Sequence, residues 1–547
     1  MDNNVTEVNF IEPDVIQDTP KKEINVYAIL TTVAILILLG ITVYVTWLGF
    51  SFYWDNMHSD IAGDLLFVRE AVNQRSLFPS GWPHLQEMRF MHLTTVIIPF
   101  YLVTGDLNLS YPLAVAFMMI LNMGMFYYML SYRKRRWLPI IIGFTILLML
   151  FSRYAMFSIF SMMFINGSLA VSLTTIFITV GAYMRIKYGG ERRRIFTILL
   201  WAVSSIIAFM QGIQSNRLMI ALYVPLLIVE CFPLLLRILR DKEFDYKKVG
   251  KPALFAIVCM VCNMLGIGLI MMLIRDGVIL VEYTLVTSGL SMMSHNHIWD
   301  QLSRLVPQLL SSLGLQGGVP VYSMAGIAYF ARLAVVITLP ILIYKTAAHQ
   351  SDDKNIINIM LASFLTLMVT MIITHTGVGE RFIFTITVVF AVMAVVFVDY
   401  LIETERRIIT IVTCAIIFVA VLVSANTLNM QREEGLVQDR QAVADFIRSE
   451  GFTIGYGPFW HGTVLTAVGD FTFDVIYINA TTFRARPHGV TMQRFRHDEE
   501  RVFLVLTDAQ TTAALNSDRT REILESGIRN DFPRGWVVWT FEHNPFR

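Results

Sequence analysis

The 547-residue chain has few charged residues: 16% are Asp, Glu, Lys or Arg, whereas 55% are hydrophobic. A soluble domain of ordinary composition carries about 25% charged residues. The formal net charge is only +1, and no block of Lys and Arg interleaved with aromatic residues occurs, which argues against nucleic-acid binding. Together with a mean hydropathy of +0.58, this composition predicts a membrane protein with many transmembrane helices.

Cysteine is scarce as well. The four residues, Cys231, Cys259, Cys262 and Cys414, all lie inside apolar stretches, which argues against a disulfide framework or a zinc site in a polar loop. Cys259 and Cys262 have the CxxC spacing without a second pair or a nearby histidine, so we interpret them as small apolar residues. Internal repeats and low-complexity tracts are also lacking.

Long uncharged runs are abundant. Residues 26–50 carry no charge, and about twenty apolar residues span a bilayer. Further runs with little or no charge lie at 111–132, 137–152, 154–184, 195–216, 218–236, 252–274, 322–344, 356–378, 382–402 and 408–430. Residues 91–104 are apolar but short. Either they form a re-entrant or interfacial helix, or they cross the membrane and the run 154–184 is split at 164–167, which restores the parity of the crossings. We therefore expect about 11 to 13 transmembrane helices.

Basic residues cluster in alternate loops, which orients the chain because Lys and Arg of short loops stay on the cytoplasmic side. The clusters are Arg133–Arg136, Arg185–Arg194, Arg237–Lys251, Lys345–Lys354 and Arg406–Arg407. This alternation predicts a multi-pass cell-membrane protein with a cytoplasmic tail at 1–25 and a transmembrane domain at 26–430. Two large loops, 51–110 and 275–321, are then expected outside.

After residue 430 the composition becomes that of a small α/β domain, expected outside at 431–547. VQDRQAVADFIRSE predicts an amphipathic helix. TIGYGPF, FTFDVIYIN, RVFLVLTDA and WVVWTFEH predict strands, and TTAALNSDRTREILES is helix-like. The fold class expected for the whole chain is therefore an α-helical polytopic membrane protein with a small α/β C-terminal domain.

The first outer loop concentrates polar side chains close to the membrane. Its titratable and aromatic residues include Asp55, His58, Asp60, Asp64, Arg69, Glu70, Trp82, His84, Glu87, Arg89 and His92. Asp60 and Asp64 are four residues apart, so on a helix they share a face and repel each other unless one finds a partner or a raised pKa. A carboxylate held here could act as general base on an acceptor hydroxyl. The alternative is an ordinary solvated loop.

This order of elements resembles that of the GT-C glycosyltransferases: one helix, then a long outer loop that begins with an acidic pair and ends in Glu87-Met88-Arg89. The stretch SDIAGDLLFVREAVNQRSLFPSGWPHLQEMRFMH and the later GFTIGYGPFWHGTVLTAV are also similar to a group of uncharacterised bacterial membrane proteins. The chain departs from the best-known GT-C branch because no Pro-Pro pair follows Glu87.

The resemblance implies a hexosyltransferase with a polyprenyl-phosphate-linked sugar as donor and a glycan or glycolipid of the cell envelope as acceptor. It implies inverting transfer with Asp60 as general base and Glu87 in support, and Asp55 or Asp64 could substitute for Asp60. Residues expected near the acceptor or in support are His58, His92, Trp82, His295 and His297. The resemblance names no certain cofactor, since some members need a metal and others do not. Aspartates of the first loop could hold Mg²⁺ or Mn²⁺ on the donor phosphate.

Arginines are the expected ligands of the donor phosphate because the guanidinium offers paired donors. The candidates are Arg89, Arg217, Arg332 and Arg381, although a single Arg can equally mark a helix end. Arg332 lies in mid-span, where a cation needs a partner. Its role is either phosphate capture or an internal pair, for instance with Glu230.

Two other functions remain open. A transporter or lipid flippase would carry charged or broken helices at mid-membrane, for which Arg332 and the Asn166-Gly167 break are the support. A membrane anchor for the outer domain would need far fewer helices.

Overall fold

The computed structural model describes residues 26–51, 53–54, 57–84, 88–153, 158–189, 194–241, 250–279, 295–315, 320, 322–346, 351–374, 379, 382–430, 436–484 and 500–546. Within these ranges the chain is mostly helical. Helices α1 to α15 are Val26–Ser51, Ser59–Asn73, Leu93–Thr104, Leu107–Leu130, Trp137–Thr145, Ile159–Phe164, Ala170–Tyr188, Arg194–Gln214, Val224–Asp241, Lys251–Arg275, His295–Ser312, Met324–Thr346, Ser351–Ile373, Thr385–Glu403 and Arg407–Met430. π-helical turns at Ile146–Leu150 and Met219–Tyr223 extend α5 and precede α9.

Eight of the described helices are long and apolar enough to cross a membrane, namely α1, α4, α8, α10, α12, α13, α14 and α15. Helix α14 lies at the centre of the bundle, since 94% of its apolar window is buried, whereas α1 is 11% buried and presents its apolar side chains outward. An apolar exterior around a buried apolar helix is the arrangement of a helix bundle in lipid.

The course of the chain distinguishes the two ends of the bundle. The 26 residues of α1 span roughly 39 Å at 1.5 Å per residue, so Val26 and Ser51 lie at opposite ends. Helix α2 follows α1, and the C-terminal domain follows α15. We call the end that bears them the domain face and the other end the opposite face.

Residues 91–104 do not carry the chain across the bundle. Arg89, just before α3, is bonded to Asp64 of α2. Asn108, just after it, donates to the carbonyl of Ala467 and to the carboxylate of Asp470 in the C-terminal domain. Both ends of α3 are therefore on the domain face, which favours the re-entrant or interfacial alternative.

The run 154–184 is interrupted where the sequence allows it. Helix α6 ends at Phe164, Gly167 has a φ of 65°, and α7 begins at Ala170. A left-handed φ is easy only for glycine, and a Cβ at this position would meet the Leu93 side chain at 2.8 Å. The hydroxyl of Tyr111 donates to the carbonyl of Asn166 and satisfies one of the backbone groups that the break leaves open.

In its described residues, the C-terminal domain is a five-stranded sheet with four helices. The strands β1 to β5 are Ile454–Gly457, Asp474–Tyr477, Val502–Thr507, Ile528–Phe532 and Trp536–Phe541, and the helices α16 to α19 are Leu436–Ser449, Phe459–Val468, Asp508–Leu515 and Asp518–Glu525. The strand order is β2-β1-β3-β5-β4. β1 pairs in parallel with β2 and β3, whereas β5 pairs antiparallel with β3 and β4.

The predicted fold class, a helical polytopic membrane protein with a small α/β C-terminal domain, is confirmed. Two details differ from the sequence analysis. The helix-like stretch 511–526 is two helices, because Ser517 lies between them with extended backbone. Strand β4 was not predicted, since its sequence IRNDF is mostly polar and exposed, as an edge strand is.

Candidate active site

Helix α2 lies between the transmembrane bundle and the C-terminal domain without crossing the membrane. Its apolar side chains, among them Ile61, Leu65 and Val68, join one buried cluster with residues of α3 and α4 on one side and of α16 and α17 on the other. An amphipathic helix is stable when its apolar face is covered in this way. Asp60, Asp64 and Glu70 are therefore held on a buried helix and not on a solvated loop.

The first turn of α2 is fixed by its cap and by the C-terminal domain. His58 is the N-cap residue, and its Nδ1 accepts a hydrogen bond from the Asp60 amide at 3.2 Å. The Ser59 hydroxyl donates to the carbonyl of Phe459 at 2.6 Å, and Arg440 donates to the carbonyl of Met57 at 2.8 Å. Burial lowers the pKa of His58, which keeps Nδ1 unprotonated and able to accept.

Asp60 lies in this first turn with a side chain that is 48% exposed. Its Oδ2 is 3.8 Å from Nδ1 of His58. The helix dipole at this end stabilises a carboxylate. Asp60 is therefore a carboxyl group held on a fixed backbone and open to a ligand.

Asp64, one turn further, is in the opposite situation. Its side chain is 6% exposed, its Oδ1 accepts a hydrogen bond from Nε of Arg89 at 2.7 Å, and its Oδ2 lies 3.6 Å from Nδ1 of His92. Because Asp60 and Asp64 repel each other, the sequence analysis expected one of them to find a partner. In the structure Asp64 has this partner in Arg89. The ion pair also ties α2 to the segment that leads into α3.

An aromatic pocket surrounds the Arg89 guanidinium, whose carbon lies 5.9 Å from the ring centre of Phe67 and 6.0 Å from that of Trp82. Stacking of this kind suits arginine. Trp82 is fully buried. Of the two roles expected for Trp82, contact with the acceptor or support of the site, its burial favours support, because its ring packs against Phe67 of α2 and Arg89.

His84 lies beside the same aromatic residues, with its ring centre 6.0 Å from that of Phe67. Burial, assisted by the nearby charge of Arg89, lowers the pKa of His84 to about 3. In the part of the chain that the structure describes, Nδ1 of His84 and Nε1 of Trp82 have no hydrogen-bond partner. His84 is therefore neutral near pH 7.

Gln214, at the end of α8, was missed by the sequence analysis. Its side-chain oxygen accepts hydrogen bonds from the amides of Phe90 and Met91, both at 3.0 Å, and its carbonyl accepts one from the amide of Met88 at 3.1 Å. Arg217 follows three residues later and is half-exposed. Gln214 thus brings the α8–α9 connection, and with it Arg217, to the segment that carries Arg89.

The pair Arg69–Asp474 was also missed. Arg69 of α2 donates from Nη2 to Oδ1 of Asp474 in β2 at 2.7 Å, and its guanidinium carbon lies 5.4 Å from the ring centre of Phe471. The two residues are 405 positions apart, so nothing in the local sequence signals the contact. It holds the middle of α2 against the C-terminal domain.

Trp460 is placed next to this junction. It follows Phe459, whose carbonyl is bonded to Ser59, the residue before Asp60. Its side chain is 52% exposed, whereas Tyr456 belongs to the core of the domain. Trp460 is therefore an exposed aromatic residue beside the start of α2, whereas Tyr456 packs inside the C-terminal domain.

Arg332 is buried in the bundle and is bonded to backbone carbonyls. It donates from Nε to the carbonyl of Leu150 at 2.8 Å, from Nη1 to that of Gly314 at 2.7 Å and from Nη2 to that of Ser152 at 2.8 Å. The expected pair with Glu230 is wrong, because Glu230 is bonded to Lys187 at 2.5 Å and to Tyr183. Arg332 thus supplies hydrogen-bond donors to three backbone carbonyls at helix ends inside the bundle.

The remaining candidates are not brought to α2 by the described contacts. Asp55, Glu87, Arg381 and the side chain of His295 lie outside the described residues. His297 is exposed on α11. Among the residues that the structure describes, no three His, Cys, Asp or Glu side chains converge as metal ligands, and Asp64 is already bonded to Arg89. The metal expectation stays untested.

Comparisons with known proteins add one finding. No protein-family model and no curated protein matches the chain. Among the solved structures that do match is ArnT from Cupriavidus metallidurans bound to undecaprenyl phosphate, with a TM-score of 0.55 and 11% identity. The match covers 95% of this chain and 98% of ArnT. At this identity the likeness concerns the fold, so we conclude that the chain has an ArnT-like fold over nearly its whole length.

Proposed function

We propose that this protein is a membrane glycosyltransferase that takes a sugar from a polyprenyl-phosphate donor. The observation that carries the proposal is the ArnT-like fold combined with a fixed, half-exposed carboxylate at the start of α2. The reaction would occur at the domain face, which the distribution of basic loops assigns to the outer side of the cell membrane.

Asp60 is a better general base than Asp64. A base must come within about 2.6–3.2 Å of the hydroxyl whose proton it takes. Asp64 is buried and its charge is neutralised by Arg89, whereas Asp60 has an open side chain. Asp64 and Arg89 are positioning residues, because together they hold α2 against the segment before α3.

The proposed reaction is a single displacement. Asp60 takes the proton of the acceptor hydroxyl, and the acceptor oxygen attacks the anomeric carbon of the donor sugar. The bond from that carbon to the phosphate oxygen breaks, so polyprenyl phosphate leaves and the configuration inverts. The leaving phosphate needs cationic donors. Arg217 is the candidate that we favour, since Arg89 and Arg332 are bonded elsewhere and Gln214 holds the Arg217 loop beside the Arg89 segment.

The experiment uses the full chain in nanodiscs with a panel of labelled polyprenyl-phosphate sugars and envelope glycolipid acceptors. Asp60→Asn should abolish sugar transfer while the protein stays folded. Asp518→Asn is the matched control, because Asp518 is likewise an exposed acid in the first turn of a helix, and it should keep full activity. Full activity of Asp60→Asn would remove the base. Movement of labelled lipid between leaflets without a new glycosidic bond would replace the proposal by a flippase.

A further inference from the structure

A cavity of about 500 Å³ opens at the opposite face of the bundle. It is lined by Tyr27, Ala28 and Thr31 of α1, by Arg136 before α5, and by Ile402, Glu405 and Arg407 at the turn between α14 and α15. These residues lie at the start of α1 and the start of α15, the ends remote from α2 and the C-terminal domain. The cavity is therefore separate from the candidate active site, and its function does not rest on the proposed reaction.

The arginines of the neighbouring loop are engaged in ion pairs. Arg133 and Arg135 both contact Asp353 and Asp399, and Arg133 also reaches Glu403 at 3.0 Å. These contacts neutralise the inward-pointing cations of residues 133–136 and fix the loop that carries Arg136.

The two arginines of the cavity are not engaged in this way. Within the described part of the chain, neither Arg136 nor Arg407 has a carboxylate at ion-pair distance. Arg136 instead lies over the ring of Tyr27, with 5.6 Å from the guanidinium carbon to the ring centre. With Glu405, which also has no ion pair among the described residues, the lining carries a formal charge of +1. Among the described residues, the lining thus carries one more cation than anion, and neither guanidinium group is held in an ion pair.

The surroundings place the cavity at the level of lipid headgroups. Trp137, next to Arg136, is 59% exposed and stacks on Tyr127 with ring centres 4.9 Å apart. Ile408, next to Arg407, is 78% exposed. Exposed Trp and Tyr are typical of the membrane–water interface, and an exposed isoleucine next to an arginine marks the boundary between acyl chains and headgroups.

We propose that this cavity binds the headgroup of an anionic phospholipid from the leaflet on the opposite face. Basic pockets between transmembrane helices are suited to such headgroups, and the volume lies within the usual range for small-ligand sites. Arg136 and Arg407 donate to the phosphate, in the paired geometry that guanidinium groups favour.

Glu405 narrows the choice of headgroup. Its φ of 53° is left-handed, and its carbonyl accepts a hydrogen bond from the Arg407 amide at 2.8 Å, so the turn sets both side chains at the cavity. A carboxylate repels a second negative charge but accepts hydrogen bonds from hydroxyl groups. The lining therefore suits a headgroup with one phosphate and free hydroxyls, such as that of phosphatidylglycerol.

The test is lipid titration of the delipidated full chain, followed by native mass spectrometry in a phosphate-free detergent buffer. Phosphatidylglycerol should bind more tightly than phosphatidylcholine, and Arg136→Gln/Arg407→Gln should weaken phosphatidylglycerol binding about tenfold or more. The control Lys134→Gln/Arg406→Gln removes the same charge from neighbouring exposed residues that do not line the cavity, and it should bind as the parent does.

Three results would overturn the proposal. Equal loss in the control would show general attraction to a basic surface. Unchanged binding in the cavity variant would remove the site. Displacement of the lipid by inorganic phosphate at millimolar concentration would show a site for a free anion and not for a lipid.

Discussion

Nε of Arg89 lies 2.7 Å from Oδ1 of Asp64, so a cation 25 residues further along the chain neutralises the second acid of α2. Asp60, one turn earlier, keeps an open carboxylate. Two aspartates four residues apart thereby acquire different environments, one that positions a helix and one that is available for chemistry.

Removal of Arg89 from its buried pair with Asp64 should lower the stability of the protein strongly. Arg89→Met leaves the Asp64 carboxylate buried without its guanidinium partner, which should reduce the free energy of unfolding by about 3–5 kcal/mol. Thermal unfolding in detergent measures the loss. Arg304→Met is the control, since Arg304 and Asp300 form an exposed pair at 2.9 Å and should contribute about 1 kcal/mol or less. Equal losses in the two variants would contradict the structural role of the Arg89 pair.

The pair Arg69–Asp474 predicts that α2 and the C-terminal domain loosen together. Arg69→Gln removes a charge-assisted hydrogen bond worth about 1.5–3 kcal/mol. Amide exchange in α17, which packs on α2, should then become about tenfold faster or more. Arg75→Gln, an exposed substitution just beyond the end of α2, should leave exchange unchanged. Parent-like protection of α17 in Arg69→Gln would show that this contact does not hold the domain.

His84 predicts a loss of stability in acid. Its pKa in the folded protein is lowered to about 3, below the ordinary value of about 6.5. As the pH falls, the unfolded chain therefore takes up the proton first. The stability that neutral His84 contributes is complete above about pH 6.5 and is lost as the pH falls towards 3. The melting temperature should fall less between pH 7.5 and pH 4.5 in His84→Asn than in the parent. The exposed control His297→Asn should follow the parent curve, and an identical curve for His84→Asn would contradict the prediction.

Trp460 predicts an effect on acceptor binding, on the basis of the proposed function. Aromatic faces suit the apolar faces of sugars, and Trp460 is exposed one residue from the bond that fixes the start of α2. Trp460→Ala should raise the KM for the acceptor about tenfold and change kcat little. Trp137→Ala, an equally exposed tryptophan at the opposite face, is the control. A loss of kcat at constant KM would show that Trp460 supports the chemistry and not acceptor binding.

Much of the architecture could be predicted from the sequence because membrane insertion depends on local composition. Uncharged runs such as 26–50 and 408–430 became α1 and α15. The polar edge strand β4 escaped prediction since it is ordered by its pairing with β5 and not by its own residues.

The candidate site was predictable in part. The acids and Arg89 stood out because they are concentrated in one polar segment between two apolar runs. Gln214 and Asp474 did not, since a polar residue at a helix end or in a strand is unremarkable until its partner is known. Arg332, by contrast, was conspicuous in the sequence because it lies in mid-span. Its partners are three backbone carbonyls, which no sequence pattern reports.

The sequence by itself determined the helical segments, the small α/β domain and the concentration of acids after α1, because hydrophobic length and periodicity act over short stretches of chain. Only the tertiary structure decided which aspartate is open and which is neutralised, and that the C-terminal domain holds α2 in place. The physical reason is that burial and ion pairing depend on residues from distant parts of the chain, such as Arg69 and Asp474, which folding alone brings into contact.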